Sequence, residues 1–356
     1  MKSTDETIIG DAGKSAGESF SFFAALSSFS DLFSPRTKDI VWARFALSGN
    51  DAKTLEEIGK SYGITRERVR QILAGAFSAV KQKREDPRFR EIALRIESAL
   101  REKSGILSVA ELFSMLAGDS KKEHGALAFF LECLKSVKEE KETARRGRVF
   151  VAAGFPFEEW DAVHAIAQKA LVGADHALDE DAFFARAKKA GLTASRKVFF
   201  DYLAVSSTIR KNAFGRWGSA DSSEIKPRGT REKAYLILKM NGAPLHFKEI
   251  ARRIDERGLQ KSGRATHPQT VHNELIKDKK FVLIGRGLYA LSEWGYKRGT
   301  VREVLQEILK ANASPMRRDD ILAEVFRIRQ VKRSTVIINL NAFFEKVGKD
   351  EYTMKH

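Results

Sequence analysis

The stretch TLEEIGKSYGITRERVRQI, Thr54 to Ile72, holds two helix starts separated by a glycine turn. Thr54 and Glu57 form a Thr-x-x-Glu capping box, in which each side chain satisfies the other's otherwise orphaned backbone N–H. Leu55 and Ile58 point inward from the helix that follows. Gly63 falls where the chain must reverse, a place that favours a residue with free φ. Ile64 plugs the turn, Thr65 caps a second helix, and Val69 and Ile72 complete the core side of that helix. The stretch is therefore expected to form a helix–turn–helix.

Arg66, Glu67, Arg70 and Gln71 remain on the outward face, concentrated in the N-terminal half of the second helix. In helix–turn–helix proteins that half enters the major groove. Arginine can bond two acceptors of guanine, glutamine can pair with adenine, and glutamate can accept from the cytosine amino group. A good bidentate contact is worth roughly 1–3 kcal/mol of base discrimination. Arg68 and Lys60 are placed to meet phosphates, which position a domain without specifying sequence. The alternative is a solvated helix face laced with local Glu–Arg pairs. Spacing alone leaves both readings open.

The wider segment KDIVWARFALSGNDAKTLEEIGKSYGITRERVRQILAGAFSAVKQKRED, residues 38–86, resembles region 4 of primary-type bacterial sigma factors, the part that binds the promoter −35 element. The matching elements are Arg44, Phe45, Leu47 and Gly49, then T-L-E-E-I-G, then T-R-E-R-V-R-Q-I. The resemblance implies that Arg66, Glu67, Arg70 and Gln71 face bases and Arg68 the backbone. The usual continuation, a short Ala/Leu helix running into Lys and Arg, is only approximated by AGAFSAVKQKR. About 35 residues precede the match, too few for the region that melts the −10 element and grips the polymerase core. The expectation is a −35-type reader mounted on something else, unable to open promoters alone.

Bulk properties agree with a nucleic-acid partner. The 356 residues carry a formal charge of +16, and such an excess favours polyanions because neutralising phosphates releases counterions. A hydrophobic content of 43% with 31% charged residues supplies several small cores. Cys133 is the single cysteine, so no intrachain disulfide or cysteine-rich zinc site can form; it lies in the apolar run LAFFLECL and reads as core. The N-terminus lacks a leader pattern, and no stretch approaches the roughly 18 apolar residues of a membrane span. A cytoplasmic, nucleoid-associated protein with no membrane partner is expected.

Residues 1–30, rich in Ser, Gly, Ala and Asp, read as a flexible N-terminal segment. GDAGKS within it has two residues where a phosphate-binding loop needs four, and no preceding strand, so it is rejected as such a loop. The helix–turn–helix is assigned to 31–90. Beyond it one layout recurs four times: an amphipathic helix, a second helix, then an extended pair around glycine. The endings are ARRGRVFVAAG, RKNAFGRWGS, KFVLIGRGLYAL and FFEKVGKDEYTM. Apolar residues flanking a short Gly-containing turn read as a hairpin, and helices closed by a hairpin are the winged-helix layout. The fold class is thus mainly α, a helix–turn–helix followed by winged-helix-like units with small β-hairpin wings. The units are expected at 91–155, 156–224, 225–298 and 299–356.

The third is the clearest. Thr230 can cap REKAYLILKM; Phe247, Ile250, Ala251 and Ile254 follow helical spacing up to Gly258; Thr266 or His267 can cap a third helix carrying Val271, Leu275 and Ile276 inward; FVLI–GRG–LYAL forms the wing. Residues 226–312 carry 19 Lys/Arg against 9 Asp/Glu, so this region holds more than half of the excess charge. Its motifs P-L-H-F-K-E-I, H-P-Q-T-V-H-N-E-L and G-R-G-L-Y-A-L resemble the HARE-HTH module, a winged helix shared by the RNA polymerase delta subunit and some chromatin and restriction-associated proteins. The resemblance implies a role beside DNA or polymerase. His267, Gln269, Thr270, His272 and Asn273 are candidates for a second nucleic-acid surface, with Arg286 on the wing reaching a phosphate. The other reading makes them caps and helix-to-wing hydrogen bonds, with His267 and Thr270 leaning that way. Trp294 and Tyr296 read as packing residues.

His267 and His272 lack the i, i+4 spacing of an H-E-x-x-H site, and no G-x-S-x-G, Walker loop or carboxylate-rich metal motif occurs. No enzyme, cofactor or metal is expected. The expected function is a sequence-specific DNA-binding transcription regulator whose partners are double-stranded DNA and RNA polymerase core. A polymerase-associated accessory protein of the delta-subunit kind and a reader of modified DNA in a defence system stand as alternatives.

Overall fold

The computed structural model of the chain describes residues 20–260, 264–296, 299–312, 314–329 and 331–355. GDAGKS and the rest of the first nineteen residues lie outside them. The expected flexible segment does not extend to residue 30. Helix α1 (Phe22–Ser27) begins at Ser21, whose hydroxyl accepts from the Ala24 N–H. Phe22, Leu26 and Phe29 are buried: the i, i+4, i+7 stripe they form outweighs the Ser/Ala-rich composition around it.

Helix α2 (Pro35–Arg44) starts at a Ser34 cap with proline in its first turn. Helix α3 (Leu55–Tyr62) opens on a complete capping box: the Thr54 N–H donates to Glu57 Oε2 at 2.7 Å and the Glu57 N–H donates to Thr54 Oγ1 at 3.2 Å. Gly63 ends it in the left-handed region, φ 62°. Helix α4 (Arg66–Lys81) follows a Thr65 cap and buries Val69, Leu73, Ala76 and Val80. Gly59 allows the tight crossing of the two helices: a Cβ there would stand 2.6 Å from the Ile64 carbonyl oxygen.

The chain continues through helix α5 (Pro87–Glu102), strand β1 (Ile106–Ser108), helices α6 (Val109–Ala117) and α7 (Lys121–Cys133), and strands β2 (Val137–Glu140) and β3 (Val149–Ala152). The strands form an antiparallel sheet in the order β1-β3-β2, the winged-helix arrangement. The sequence-based boundary near residue 90 is not a break in packing. Buried side chains from Phe22 to Phe150 form one cluster. Phe129 of α7 meets the rings of Phe45 at 5.5 Å and Phe77 at 5.1 Å. Gly125 seats α7 on the end of α2: a Cβ there would fall 1.7 Å from the Phe45 carbonyl oxygen. Cys133 is buried in the same cluster, and burial pushes its thiol up to about 12.

The same element order returns three times. It runs through helices α8 (Phe157–Leu171), α9 (Glu180–Lys189) and α10 (Arg196–Ala204) and hairpin strands β4 (Ile209–Lys211) and β5 (Trp217–Ser219), with an isolated bridge between Leu178 and Trp217. It runs next through helix α11 (Thr230–Asn241), strand β6 (Leu245–His246), helices α12 (Phe247–Glu256) and α13 (Pro268–Lys277), and strands β7 (Phe281–Gly285) and β8 (Leu288–Leu291). Here Gly229, not Thr230, is the N-cap of α11, and Thr266 bonds Asp255 instead of capping α13. Val271 and Leu275 are buried as expected, but Ile276 is exposed, because it lies one step beyond the inward stripe of α13. The last copy comprises helix α14 (Val301–Ala311), strand β9 (Met316–Arg317), helices α15 (Arg318–Ile328) and α16 (Arg333–Phe343), and strands β10 (Glu345–Gly348) and β11 (Glu351–Thr353). The protein is mainly α, a helix–turn–helix followed by winged-helix-like units with small hairpin wings.

By packing, the chain divides into two compact units. One takes in the described residues up to Asp161 together with Ala194–Val205; the other takes in Ala162–Thr193 and the described residues from Ser206 on. In the first, α10 lies against β1, and Asp201 bonds Ser104 Oγ at 2.6 Å and Lys197 Nζ at 2.6 Å.

Two glycine substitutions test these close approaches. Gly59→Ala and Gly125→Ala should each lower stability, by about 1–3 kcal/mol for an overpacked site, with Gly125→Ala the more severe because its clash is with fixed backbone on another element. Thermal melts followed by circular dichroism would check this. Unchanged midpoints would show that the helices are not held this closely.

Candidate nucleic-acid interface

The N-terminal half of α4 stands clear of the core on one side. Val69 is fully buried and Ile72 partly so, while Arg66, Glu67, Arg68, Arg70 and Gln71 are all exposed. The structure brings these five side chains together on one helix face. They are not idle there. Glu67 grips the Arg70 guanidinium with two bonds, Nε to Oε2 at 2.9 Å and Nη2 to Oε1 at 2.6 Å. This hydrogen bonding holds the Glu67 carboxyl below its ordinary range and raises Arg70. Arg68 Nη1 donates to Gln71 Oε1 at 3.2 Å. Lys60, on α3, pairs with Glu56 at 2.9 Å.

All of these pairs are solvent-exposed, and exposed pairs are weak and easily exchanged. They keep long side chains extended along the helix without committing them. A guanine edge or a phosphate could replace the carboxylate partner of Arg70 while Glu67 swings to a donor. The geometry is that of a major-groove reading helix held by a rigid α3–α4 corner. Gly59, which permits that corner, has no charge or motif value in the sequence, and only the close approach to Ile64 reveals its role.

Arg36 is a further contributor that composition does not mark. Its Nη2 donates to the Tyr62 carbonyl at 3.2 Å, tying the start of α2 to the end of α3. It braces the corner from an exposed position.

In the third winged helix the candidate residues separate. Gln269 and Asn273 are exposed on α13 and bond each other, Nε2 to Oδ1 at 3.2 Å. Arg286 is exposed at the turn between β7 and β8. His272 is half-buried, and its Nδ1 accepts from the Tyr289 hydroxyl at 2.9 Å. Its ring stacks on Phe247 at 4.7 Å, and Phe247 stacks on His246 at 4.5 Å. Tyr289 is fully buried, which pushes its phenol up to about 12. His272 thus joins helix to wing. Gly287, φ 71°, closes this joint, since a Cβ there would come within 2.5 Å of the His246 ring. Sequence pattern does not single out His246, Phe247 and Tyr289 for this role, because it depends on a contact across the wing.

His267 occupies the N-cap position of α13 without a side-chain cap bond, and Thr270 is exposed. Trp294 packs against the core of this winged helix, and Tyr296 against the small cluster on the outer side of its hairpin. Among the described residues no group of three or more His, Cys, Asp or Glu could hold a metal ion. No described helix is long and apolar enough to cross a membrane.

Comparison with known proteins matches two parts of the chain. Residues 32–82 match the family "Sigma-70, region 4", and residues 229–294 match the HARE-HTH family, described as a restriction endonuclease HTH domain. RNA polymerase sigma factor SigA of Microcystis aeruginosa is 45% identical over 51 residues, 14% of this chain and 12% of that protein. SigA of Synechocystis sp. gives the same identity and coverage. RNA polymerase sigma factor sigB of Arabidopsis thaliana is 43% identical over 54 residues, 15% of this chain and 9% of its own. The chain therefore spans about an eighth or less of these relatives' length. It joins a sigma region 4-type helix–turn–helix to a HARE-type winged helix, two DNA-binding modules.

Proposed function

We propose that this protein is a sequence-specific DNA-binding transcription regulator that reads a −35-like element through α4. The observation that carries the proposal is the uncovered N-terminal half of α4, with Arg66, Glu67, Arg70 and Gln71 on one face. In this reading Arg70 and Arg66 address guanine, Gln71 adenine and Glu67 cytosine, while Arg68 and Lys60 hold phosphates. Gln269, Asn273 and Arg286 add a second nucleic-acid surface, and His272 positions α13 against the wing. The chemistry is binding, with no reaction assigned.

A second reading, an accessory protein bound to RNA polymerase core, draws support from the relatives, which are named as sigma factors of that enzyme. The reader of modified DNA draws on the restriction-endonuclease wording of the second family. The first reading is preferred because its contact residues are in place and uncovered. The protein would then work on the chromosome in the cytoplasm.

Selection of binding sites from random duplexes, followed by gel shifts at several salt concentrations, tests this. Arg70→Ala should weaken the selected site roughly 5- to 150-fold, the range for one lost bidentate contact, and relax preference at one base pair. Unchanged affinity and preference would sink the promoter-reading proposal.

Arg68→Ala should instead weaken all sequences alike and reduce the salt slope by about 0.9, one phosphate's share. A polymerase pull-down that survives DNase while site selection yields no motif would favour the accessory reading.

A further inference from the structure

The fourth winged helix is a diverged copy of the third, and the correspondence runs residue by residue. Pro244-Leu245-His246 and Pro315-Met316-Arg317 lead into α12 and α15, which bury Ile250, Ala251 and Ile254 in one and Ile321, Leu322 and Val325 in the other. Counting from the first residue of the third helix, the fourth and eighth positions are buried in both: Val271 and Leu275, Val336 and Leu340. The last strands carry Tyr289 and Tyr352, both buried, each bonding its own third helix: Tyr289 to His272 at 2.9 Å and Tyr352 to Asn341 at 2.7 Å. Both wings bulge, between Leu283 and Gly285 and between Lys346 and Gly348. Both wing turns end in a left-handed residue, Gly287 at φ 71° and Asp350 at φ 65°. In each copy the carbonyl of that residue accepts from the first helical N–H after the short strand, Phe247 at 2.9 Å and Arg318 at 2.7 Å.

This register sets the exposed residues against each other. Gln269, Thr270 and Asn273 on α13 correspond to Ser334, Thr335 and Ile338 on α16, all exposed. Arg286 at the first wing turn corresponds to Lys349 at the second, also exposed. The exposed face of α16 carries no carboxylate within the helix. Asp319, nearby on α15, is held by Arg333 at 3.0 Å, and Asp350 by Arg318 at 2.9 Å. Lys332 and Lys349, at the start of α16 and at the wing tip, are left as exposed cations.

We infer that residues 301–353 form a further duplex-DNA-binding site, with Ser334, Thr335 and Ile338 toward a groove and Lys332 and Lys349 on phosphates. The inference rests on the DNA-binding reading above. Small hydroxyls and an apolar tip suit an A·T-containing groove, where a thymine methyl takes the apolar contact. The two copies are also fastened together. Arg329, buried at the end of α15, donates through Nη2 to the Leu283 carbonyl of strand β7 at 3.1 Å and through Nη1 to the Gly299 carbonyl. Two sites on one body raise each other's effective concentration on a continuous duplex.

The test uses the full chain and a duplex carrying the selected site, titrated by fluorescence anisotropy across a salt series. Lys349→Glu should lower affinity on the order of tenfold near 0.1 M salt and reduce the slope by about 0.9, the loss of one counterion-releasing contact. Thr335→Glu is the second variant, because a carboxylate in the first helical turn favours the helix while opposing a phosphate; it should lower affinity as well. If both variants melt as the parent does and bind with unchanged affinity and slope, the inference is overturned, whatever Arg286→Glu does. The underlying DNA reading fails separately, only if Arg70→Ala and Arg286→Glu also leave binding unaltered.

Discussion

The contact on which the first unit depends is the seat of α7 on the end of α2. Gly125 lets the helix backbone come so close to the Phe45 carbonyl that no side chain fits between them. Behind that seat the rings of Phe45, Phe77 and Phe129 meet edge to face or tilted, at 5.1–6.0 Å, geometries that add to the burial of aromatic area. Phe33 and Phe29, brought in by the segment before α2, close against Phe129 and Phe130. Without α7 the inner faces of α2 and α4 would stand open to water. The helix–turn–helix and the winged helix after it are therefore one folding unit, even though their motifs are separate in sequence.

This arrangement constrains function. A third helix in a winged fold is the element usually offered to a groove. Here α7 buries Ala126, Leu127, Phe129, Phe130, Leu131 and Cys133 in the shared core. It cannot leave without exposing them. The first winged helix thus supports the α3–α4 corner and does not read DNA with its third helix. The α4 face gains from this: its inner side is fixed by a large aromatic core, and its outer side carries only weak, exchangeable ion pairs. A reading helix needs that combination, a rigid backbone with side chains free to change partner.

Legibility in the sequence follows the range of the interactions. The α3–α4 corner is readable because its determinants are local: Thr54 with Glu57, Gly63, Thr65. The wings are readable from apolar residues around glycine, and the order of elements with them. The segment before α2 is deceptive because Ser and Ala dominate its composition, although three apolar residues at helical spacing decide its fate. The boundary near residue 90 fails for another reason. Phe129 and Gly125 meet Phe45 across some eighty residues of chain, and nothing in either stretch alone encodes the meeting. At the candidate site, the exposed arginines are visible as charge, whereas His272 looks like a surface ligand until Tyr289 and Phe247 are placed against it.

A repeated module with differing third helices divides labour among its copies. In α7 that helix is apolar and serves as core; in α10 it carries Lys197 and Asp201, which fasten it to residues of the first winged helix. In α13 and α16 the buried positions are reduced to two valine–leucine pairs, and the remaining surface is largely uncharged or basic. The burial pattern of the third helix therefore decides whether a copy is structural or available. By that criterion the winged helices pass from support to contact along the chain, and the excess of positive charge in residues 226–312 begins where the supporting copies end.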